Sequence, residues 1–211
     1  MRHHPGEELL LAYASGTSNE ATSLIIATHL VFCADCRKSL AALETAGGVL
    51  LADMKPAALA EGALDQALAR LGEQAAKPAP KPVADSDVPA PLRDYIGGAM
   101  DKVSWRTIAP GISYRPFLKK GRARVQLIRV EPGHGVADHT HEGAELSLVL
   151  AGGYTDETGQ YGVGDFQTTS PDIEHAPTAD ADGVCIILAV TEAPLVFRGW
   201  LPRLIGKLAG F

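Results

Sequence analysis

The chain carries two groups of potential metal ligands of different chemistry, on either side of a proline-rich stretch. The first group has the spacing H-x3-C-x2-C and consists of His29, Cys33 and Cys36. The second group contains imidazoles and a carboxylate and consists of His139, His141, Glu145 and His175. Thiolates favour a closed, structural zinc site, whereas the second set suits a divalent metal that can keep a coordination position open. Any fold of this chain must bring each group together.

Composition bounds the class of protein and its partners. A chain of 211 residues with 46% hydrophobic and 21% charged residues has the composition of a folded protein with one or two domains. The formal net charge of −6 argues against a nucleic-acid surface. No apolar run predicts a membrane span or a secretory signal, and the three cysteines do not form a disulfide framework. We therefore expect a cytoplasmic protein that contacts neither nucleic acid nor a membrane directly.

Residues 1–73 have the pattern of a short helical bundle. Four helices are predicted in order: one ending at Gly16, one from Ala21 to Phe32 capped by Asn19, one from Ala34 to Leu51 interrupted at Gly47-Gly48, and one starting near Pro56. The small core of leucines and alanines gains stability if a metal pins the helices together.

The remainder divides into a linker and a β region. Residues 74–91 contain five prolines among small and charged residues, which predicts an extended interdomain linker. Residues 92–211 carry short aliphatic, β-branched segments separated by glycine-rich turns, the pattern of an all-β sandwich or barrel. A short helix is predicted near the end, from Leu201 to Leu208. The expected fold class is therefore α+β in two domains.

The N-terminal metal group needs a fourth ligand. His29, Cys33 and Cys36 project from one face at helical spacing. His4 is the preferred fourth ligand because it lies nearer the first predicted helix, with His3 as the fallback. Two alternatives remain: a buried His29 beside a CxxC without metal, or a redox switch in which the two cysteines oxidise and zinc leaves.

Together with the flanking sequence HPGEELLLAYASGT…ATHLVFCADC, these residues resemble the zinc-containing anti-sigma factor domains that inhibit extracytoplasmic-function sigma factors, especially the ChrR branch. The resemblance implies zinc on His4, His29, Cys33 and Cys36. It also implies a one-to-one complex in which the helices block the sigma factor. Apolar side chains would then form the contact surface or, alternatively, an internal core: Leu9, Leu10, Leu59 and Leu64.

The second group has even spacing, so His139, His141 and Glu145 share one face of a strand, and His175 must arrive from elsewhere. Gly133-x5-His139-x-His141-x3-Glu145-x6-Gly152 resembles the first motif of the cupin barrels. The second motif departs from the family at Asp172 and Ala179, which stand where glycine and asparagine are usual. The resemblance implies a cupin barrel with a divalent metal, for which zinc is expected, although spacing alone does not choose the metal. A barrel that keeps the histidines without a metal is the alternative.

The two resemblances together are those of ChrR-type anti-sigma factors, which join a zinc domain to a cupin domain. They imply a regulator without catalytic activity that releases its sigma factor on photo-oxidative stress, such as singlet oxygen or organic peroxide, sensed in the cupin domain. The rival hypothesis is a metal-dependent cupin dioxygenase or isomerase with Glu145 as a general base. A third hypothesis makes the Cys33/Cys36 centre the sensor. His134 is expected on the surface, and Cys185 is expected as a buried, inert thiol.

Overall fold

The computed structural model describes residues 1–71, 87–192 and 195–197; of His141 and residues 195–197 it describes the backbone alone. The described helices are α1 (Glu7–Ala14), α2 (Glu20–Phe32), α3 (Ala34–Ala52), α4 (Ala63–Arg70), α5 (Ala90–Ile96) and a single 3-10 turn (Met100–Lys102). The described strands are β1 (Arg106–Ala109), β2 (Ile112–Lys120), β3 (Ala123–Val130), β4 (His139–His141), β5 (Glu145–Ala151), β6 (Gly153–Asp156), β7 (Gly159–Gly162), β8 (Phe166–Thr169), β9 (Thr178–Ala179), β10 (Cys185–Thr191) and β11 (Leu195–Phe197).

The helical region agrees with the sequence in α1 and α2 and differs in α3 and α4. Asn19 caps α2 by accepting the Thr22 N–H at 3.0 Å. The predicted interruption of the third helix is wrong, because α3 continues through Gly47 and Gly48. The fourth helix begins at Ala63 rather than near Pro56. The intervening residues therefore link the two helices without helical structure of their own.

The β region consists of antiparallel sheets, as the sequence predicts, so the whole chain has the expected α+β composition. Its largest sheet has six strands in the order β1-β2-β3-β10-β5-β8, and neighbouring strands are antiparallel. A second sheet has the order β7-β6-β9, and β4 pairs with β11. Among the described strands these are separate sheets rather than one closed barrel. The six-stranded sheet is the platform on which the other elements pack.

The two faces of the six-stranded sheet have different partners. One face packs on the three-stranded sheet through a core of Ile112, Val130, Val149, Tyr154, Tyr161, Ala179, Cys185 and Ile187. The opposite face contributes to a core shared with the helices, which contains Ile25, Ile26, Leu92, Val125, Leu127, Leu148 and Leu188. Alternation along each strand produces this division, since successive side chains point to opposite faces. The helical and β regions therefore share one hydrophobic core.

The predicted domain boundaries stay a prediction. Residues 72–86 of the predicted linker lie outside the described residues, as does the predicted helix from Leu201 to Leu208. At the other end of that linker, Val88 is buried in the shared core and α5 begins at Ala90. No helix in the described part of the chain combines the length and apolarity that a membrane crossing requires.

Candidate metal centres

The N-terminal group converges at the junction of α2 and α3. His29 lies in the last turn of α2, Cys33 separates the two helices, and Cys36 lies in the first turn of α3. The Cys33 backbone has φ −105° and ψ 107°, which breaks the helix and turns both thiols inward. His4 reaches the same point from the segment that precedes α1. We call these four residues the thiolate cluster.

The distances in the thiolate cluster fit a tetrahedral zinc. The Cys36 sulfur lies 3.3 Å from His29 Nε2 and 3.4 Å from His4 Nδ1. The Cys33 sulfur lies 3.3 Å from His4 Nδ1. Zinc bonds of about 2.3 Å to sulfur and about 2.0 Å to nitrogen place tetrahedral ligand atoms about 3.5 Å apart. The four side chains therefore surround a space of the size that zinc needs.

The protonation states of the thiolate cluster determine how a metal would bind there. His29 Nδ1 lies 2.9 Å from the Gly164 carbonyl oxygen and must donate to it, so Nε2 carries the lone pair that faces Cys36. Burial lowers the pKa of His29, which keeps the ring neutral. Burial and the neighbouring Cys33 raise the pKa of Cys36 to about 12. At neutral pH the Cys36 sulfur therefore holds a proton unless a metal cation replaces it.

Residues 1–4 are bound to the turn between β7 and β8. The Asp165 carboxylate accepts the Arg2 N–H at 2.7 Å and the His3 N–H at 3.1 Å. The Phe166 N–H donates to the His3 carbonyl oxygen at 3.1 Å. Burial raises the pKa of the Asp165 carboxyl, but the backbone N–H groups that it accepts lower that pKa below its ordinary value overall. The β region therefore positions the segment that carries His4.

Gly164 lies close to Met1 and Phe32, so a substitution there tests whether the β7–β8 turn must pack against the N-terminal segment and α2. Its φ is +86°, and a Cβ there would lie 2.7 Å from Met1 Sδ and 2.9 Å from Phe32 Cβ. We expect Gly164→Ala to lower the free energy of unfolding by about 1–3 kcal/mol, because it adds backbone strain and separates α2 from the turn. Urea unfolding measures this change. Gly183→Ala is the matched control, since nothing lies within 4 Å of a Cβ at Gly183; equal losses for both variants would contradict the expectation.

The second group converges in part. His139 begins β4, Glu145 begins β5, and His175 lies in the loop between β8 and β9. One ligand atom from each lies within 4.8 Å of the others, and the three residues are only 3%, 5% and 3% exposed. We call these three residues the cupin cluster. The backbone of His141 pairs with Leu195, but its side chain lies outside the described part of the chain, so His141 stays a predicted ligand.

Both imidazoles of the cupin cluster are oriented through Nδ1. His139 Nδ1 donates to the Ala137 carbonyl oxygen at 2.8 Å, and His175 Nδ1 donates to the Asp156 carboxylate at 2.9 Å. Nε2 therefore carries the lone pair of each ring, as in the histidines of many metal sites. Glu145 adds an oxygen 3.9 Å from His175 Nε2. Two nitrogens and one carboxylate oxygen fit a divalent metal without selecting one.

The structure also places the other residues that the sequence analysis singled out. His3 packs its ring on Tyr161 instead of joining the thiolate cluster. His134 is exposed and Cys185 is buried, with the pKa of its thiol raised to about 12 by burial. Sequence reasoning missed Asp156 and Asp165. A carboxylate in a glycine-rich turn carries no sequence signal that distinguishes such partners from ordinary turn residues.

Known proteins match this chain in both its helical and its β regions. The family model described as the ChrR cupin-like domain matches residues 94–194. Anti-sigma-E factor ChrR of Cereibacter sphaeroides is 43% identical over 205 residues, which cover 97% of this chain and 96% of that protein. The crystal structure of Rhodobacter sphaeroides SigE in complex with the anti-sigma ChrR superposes with a TM-score of 0.80 at 40% identity. That match covers 90% of this chain and 98% of the matched chain.

Proposed function

Because the chain belongs to the ChrR family of anti-sigma factors, we propose that it binds and inhibits an extracytoplasmic-function sigma factor in a one-to-one complex. The observation that carries this proposal is the identity of 43% along nearly the whole chain to a protein named as an anti-sigma factor. The solved relative with a TM-score of 0.80 is itself in complex with a sigma factor. The role is regulatory rather than catalytic, and the chain acts in the cytoplasm, where sigma factors meet RNA polymerase.

The surface that contacts the sigma factor lies between the end of α3 and the end of α4. Eight large apolar side chains there are exposed: Val49, Leu50, Leu51, Met54, Leu59, Leu64, Leu68 and Leu71. We call residues 49–71 the apolar segment. A contiguous run of this kind is typical of a protein-binding surface. Of the leucines singled out from the sequence, Leu59 and Leu64 are 80% and 64% exposed, whereas Leu10 is buried in the core and Leu9 packs against it.

The two clusters hold divalent metals of different function. The thiolate cluster of His4, His29, Cys33 and Cys36 binds a structural zinc, in keeping with its sulfur content and its tetrahedral distances. The cupin cluster, with His141 as a fourth ligand, binds a second divalent metal, for which we favour zinc. This second metal supplies the chemistry with which the β region detects photo-oxidative stress, such as singlet oxygen or organic peroxide.

Co-expression tests the proposed function directly. The full chain is co-expressed with the sigma factor encoded nearest to its gene, and the purified material is analysed for stoichiometry and metal content. We expect a stable one-to-one complex with one zinc in the thiolate cluster. Failure to bind that sigma factor or others of its class, with metal confined to the β region, would contradict the proposal and favour a cupin enzyme.

Loss of the cupin metal is expected to abolish the response to stress. His139→Ala and His175→Ala each remove one ligand and leave the apolar segment unchanged. We expect both variants to lose the second metal and to keep the sigma factor inhibited when singlet oxygen or peroxide is applied. Metal analysis and a sigma-dependent reporter measure the two effects. The exposed His134→Ala variant is the control, and normal induction in the ligand variants would rule out sensing through the cupin cluster.

A further inference from the structure

The Asp156 carboxylate joins the cupin cluster to the hairpin of β6 and β7. Its side chain is 0% exposed. Oδ2 accepts a hydrogen bond from His175 Nδ1 at 2.9 Å and another from Gln167 Nε2 at 2.8 Å. Oδ1 accepts from the Thr158 N–H, the Thr158 hydroxyl and the Gly159 N–H at 2.8, 2.7 and 3.2 Å. A carboxylate held from both sides fixes the relative positions of all its donors.

From Thr158 the contacts continue to the N-terminal segment. The Thr158 hydroxyl donates to Asp156, so the Tyr161 hydroxyl must donate to Thr158 Oγ1, which lies 2.8 Å away. The Tyr161 ring packs on the His3 imidazole with ring centroids 4.4 Å apart. His3 directly precedes His4 of the thiolate cluster. An unbroken series of contacts therefore runs from one cluster to the other.

Strand β8 provides a second route between the same points. Gln167 donates to Asp156, and the preceding residue, Phe166, donates its backbone N–H to the His3 carbonyl oxygen. The Phe166 ring lies edge-on to the His29 ring, with centroids 5.7 Å apart. Both routes begin at Asp156 and end at residues beside the thiolate cluster.

We propose that Asp156 is a positioning residue through which the cupin cluster controls how firmly His4 is held at the thiolate cluster. A divalent metal bound at the cupin cluster would hold the His175 ring with Nδ1 directed at Asp156. When a ligand of that metal is lost, the ring can rotate, and the hydrogen bonds that order Thr158, Tyr161 and His3 weaken in turn. This inference deepens the proposed function and rests on it for its regulatory meaning. The weakened hydrogen bonds speed metal exchange at the thiolate cluster without emptying it, so a variant that lacks the cupin metal still inhibits the sigma factor.

The test uses the full chain loaded with cobalt(II), because thiolate-to-cobalt absorption reports only the thiolate cluster. The rate at which this absorption disappears after addition of EDTA is measured for wild type, His139→Ala, Asp156→Asn and the double variant. Asparagine offers one oxygen, so its NH2 group must face N–H or O–H donors whichever way the amide is oriented. We expect each single variant to lose cobalt roughly three- to tenfold faster than wild type, and the double variant to be no faster than either.

A milder variant and a matched control separate positioning from general destabilisation. Tyr161→Phe keeps the ring beside His3 and removes only the hydroxyl, and we expect it to reduce the effect of His139→Ala on the rate without abolishing it, because the route through Gln167 and Phe166 remains. Thr155→Val, on the same strand, removes an exposed hydrogen bond to Asp180 and should behave like wild type. The inference is overturned if His139→Ala leaves the rate unchanged, if the two single effects multiply, or if Thr155→Val matches Asp156→Asn. Because no sigma factor is present, these outcomes are independent of whether the chain binds one.

Discussion

Replacing Leu64 and Leu68 with glutamate is expected to weaken sigma-factor binding by at least about 100-fold. The two residues are one helical turn apart on α4 and are 64% and 54% exposed. In the proposed complex they would be buried against the sigma factor, where an unpaired carboxylate loses its hydration without compensation. Calorimetric titration of the purified sigma factor into each variant measures the change in affinity.

The same substitutions should leave the free chain intact. Exposed side chains contribute little to the free energy of unfolding, so that free energy, measured by urea unfolding, should change by no more than about 0.5 kcal/mol. Val163→Glu is the control, because Val163 is 49% exposed and lies in the β7–β8 turn, outside residues 49–71. Wild-type affinity in the Leu64→Glu, Leu68→Glu double variant would show that the apolar segment is not the contact surface.

The sequence predicted correctly those features that depend on a residue and its immediate neighbours in the chain. Asn19 specifies the start of α2 through its own side chain. The even spacing of His139 and Glu145 predicted one face of a single strand, which is wrong, because His139 lies in β4 and Glu145 in β5; the two side chains meet only through the fold. The errors in the helices came from weak signals. Gly47 and Gly48 each disfavour helix by about 1 kcal/mol, which the rest of a long helix can offset, and nothing lies within 4 Å of a Cβ at either.

The shared core could be predicted only in part. Helix α2 has apolar residues on several faces, and Leu24, Ile25, Ile26 and Leu30 are all buried, a pattern typical of a helix enclosed by more than one neighbour. That pattern indicates a second partner for α2 but does not identify the six-stranded sheet. Two hydrogen-bond partners of Asp165, Arg2 and His3, lie more than 160 residues away in sequence, and such pairings require the folded topology.

Replacing Cys36 with serine is expected to have the largest effect of any single substitution: loss of the zinc from the thiolate cluster and of sigma-factor binding. Structural zinc sites of this kind contribute on the order of 10 kcal/mol or more of binding free energy at neutral pH. Cys36 is the only described residue of α3 that is buried. The position of α3, and with it the start of the apolar segment, therefore depends heavily on the metal.

Hydrogen exchange should show that the damage is uneven. Ile25 and Ile26 anchor α2 in the core shared with the six-stranded sheet, so α2 should stay protected in Cys36→Ser while α1 and α3 exchange rapidly. Cys185→Ala is the matched control, because it removes a buried thiol from the other core and leaves the thiolate cluster complete. Full protection of α3 in a Cys36→Ser protein that has lost its zinc would mean that packing alone positions the helix and that the metal does not hold the sigma-binding surface in place. Retained zinc would mean that Cys36 is not a required ligand.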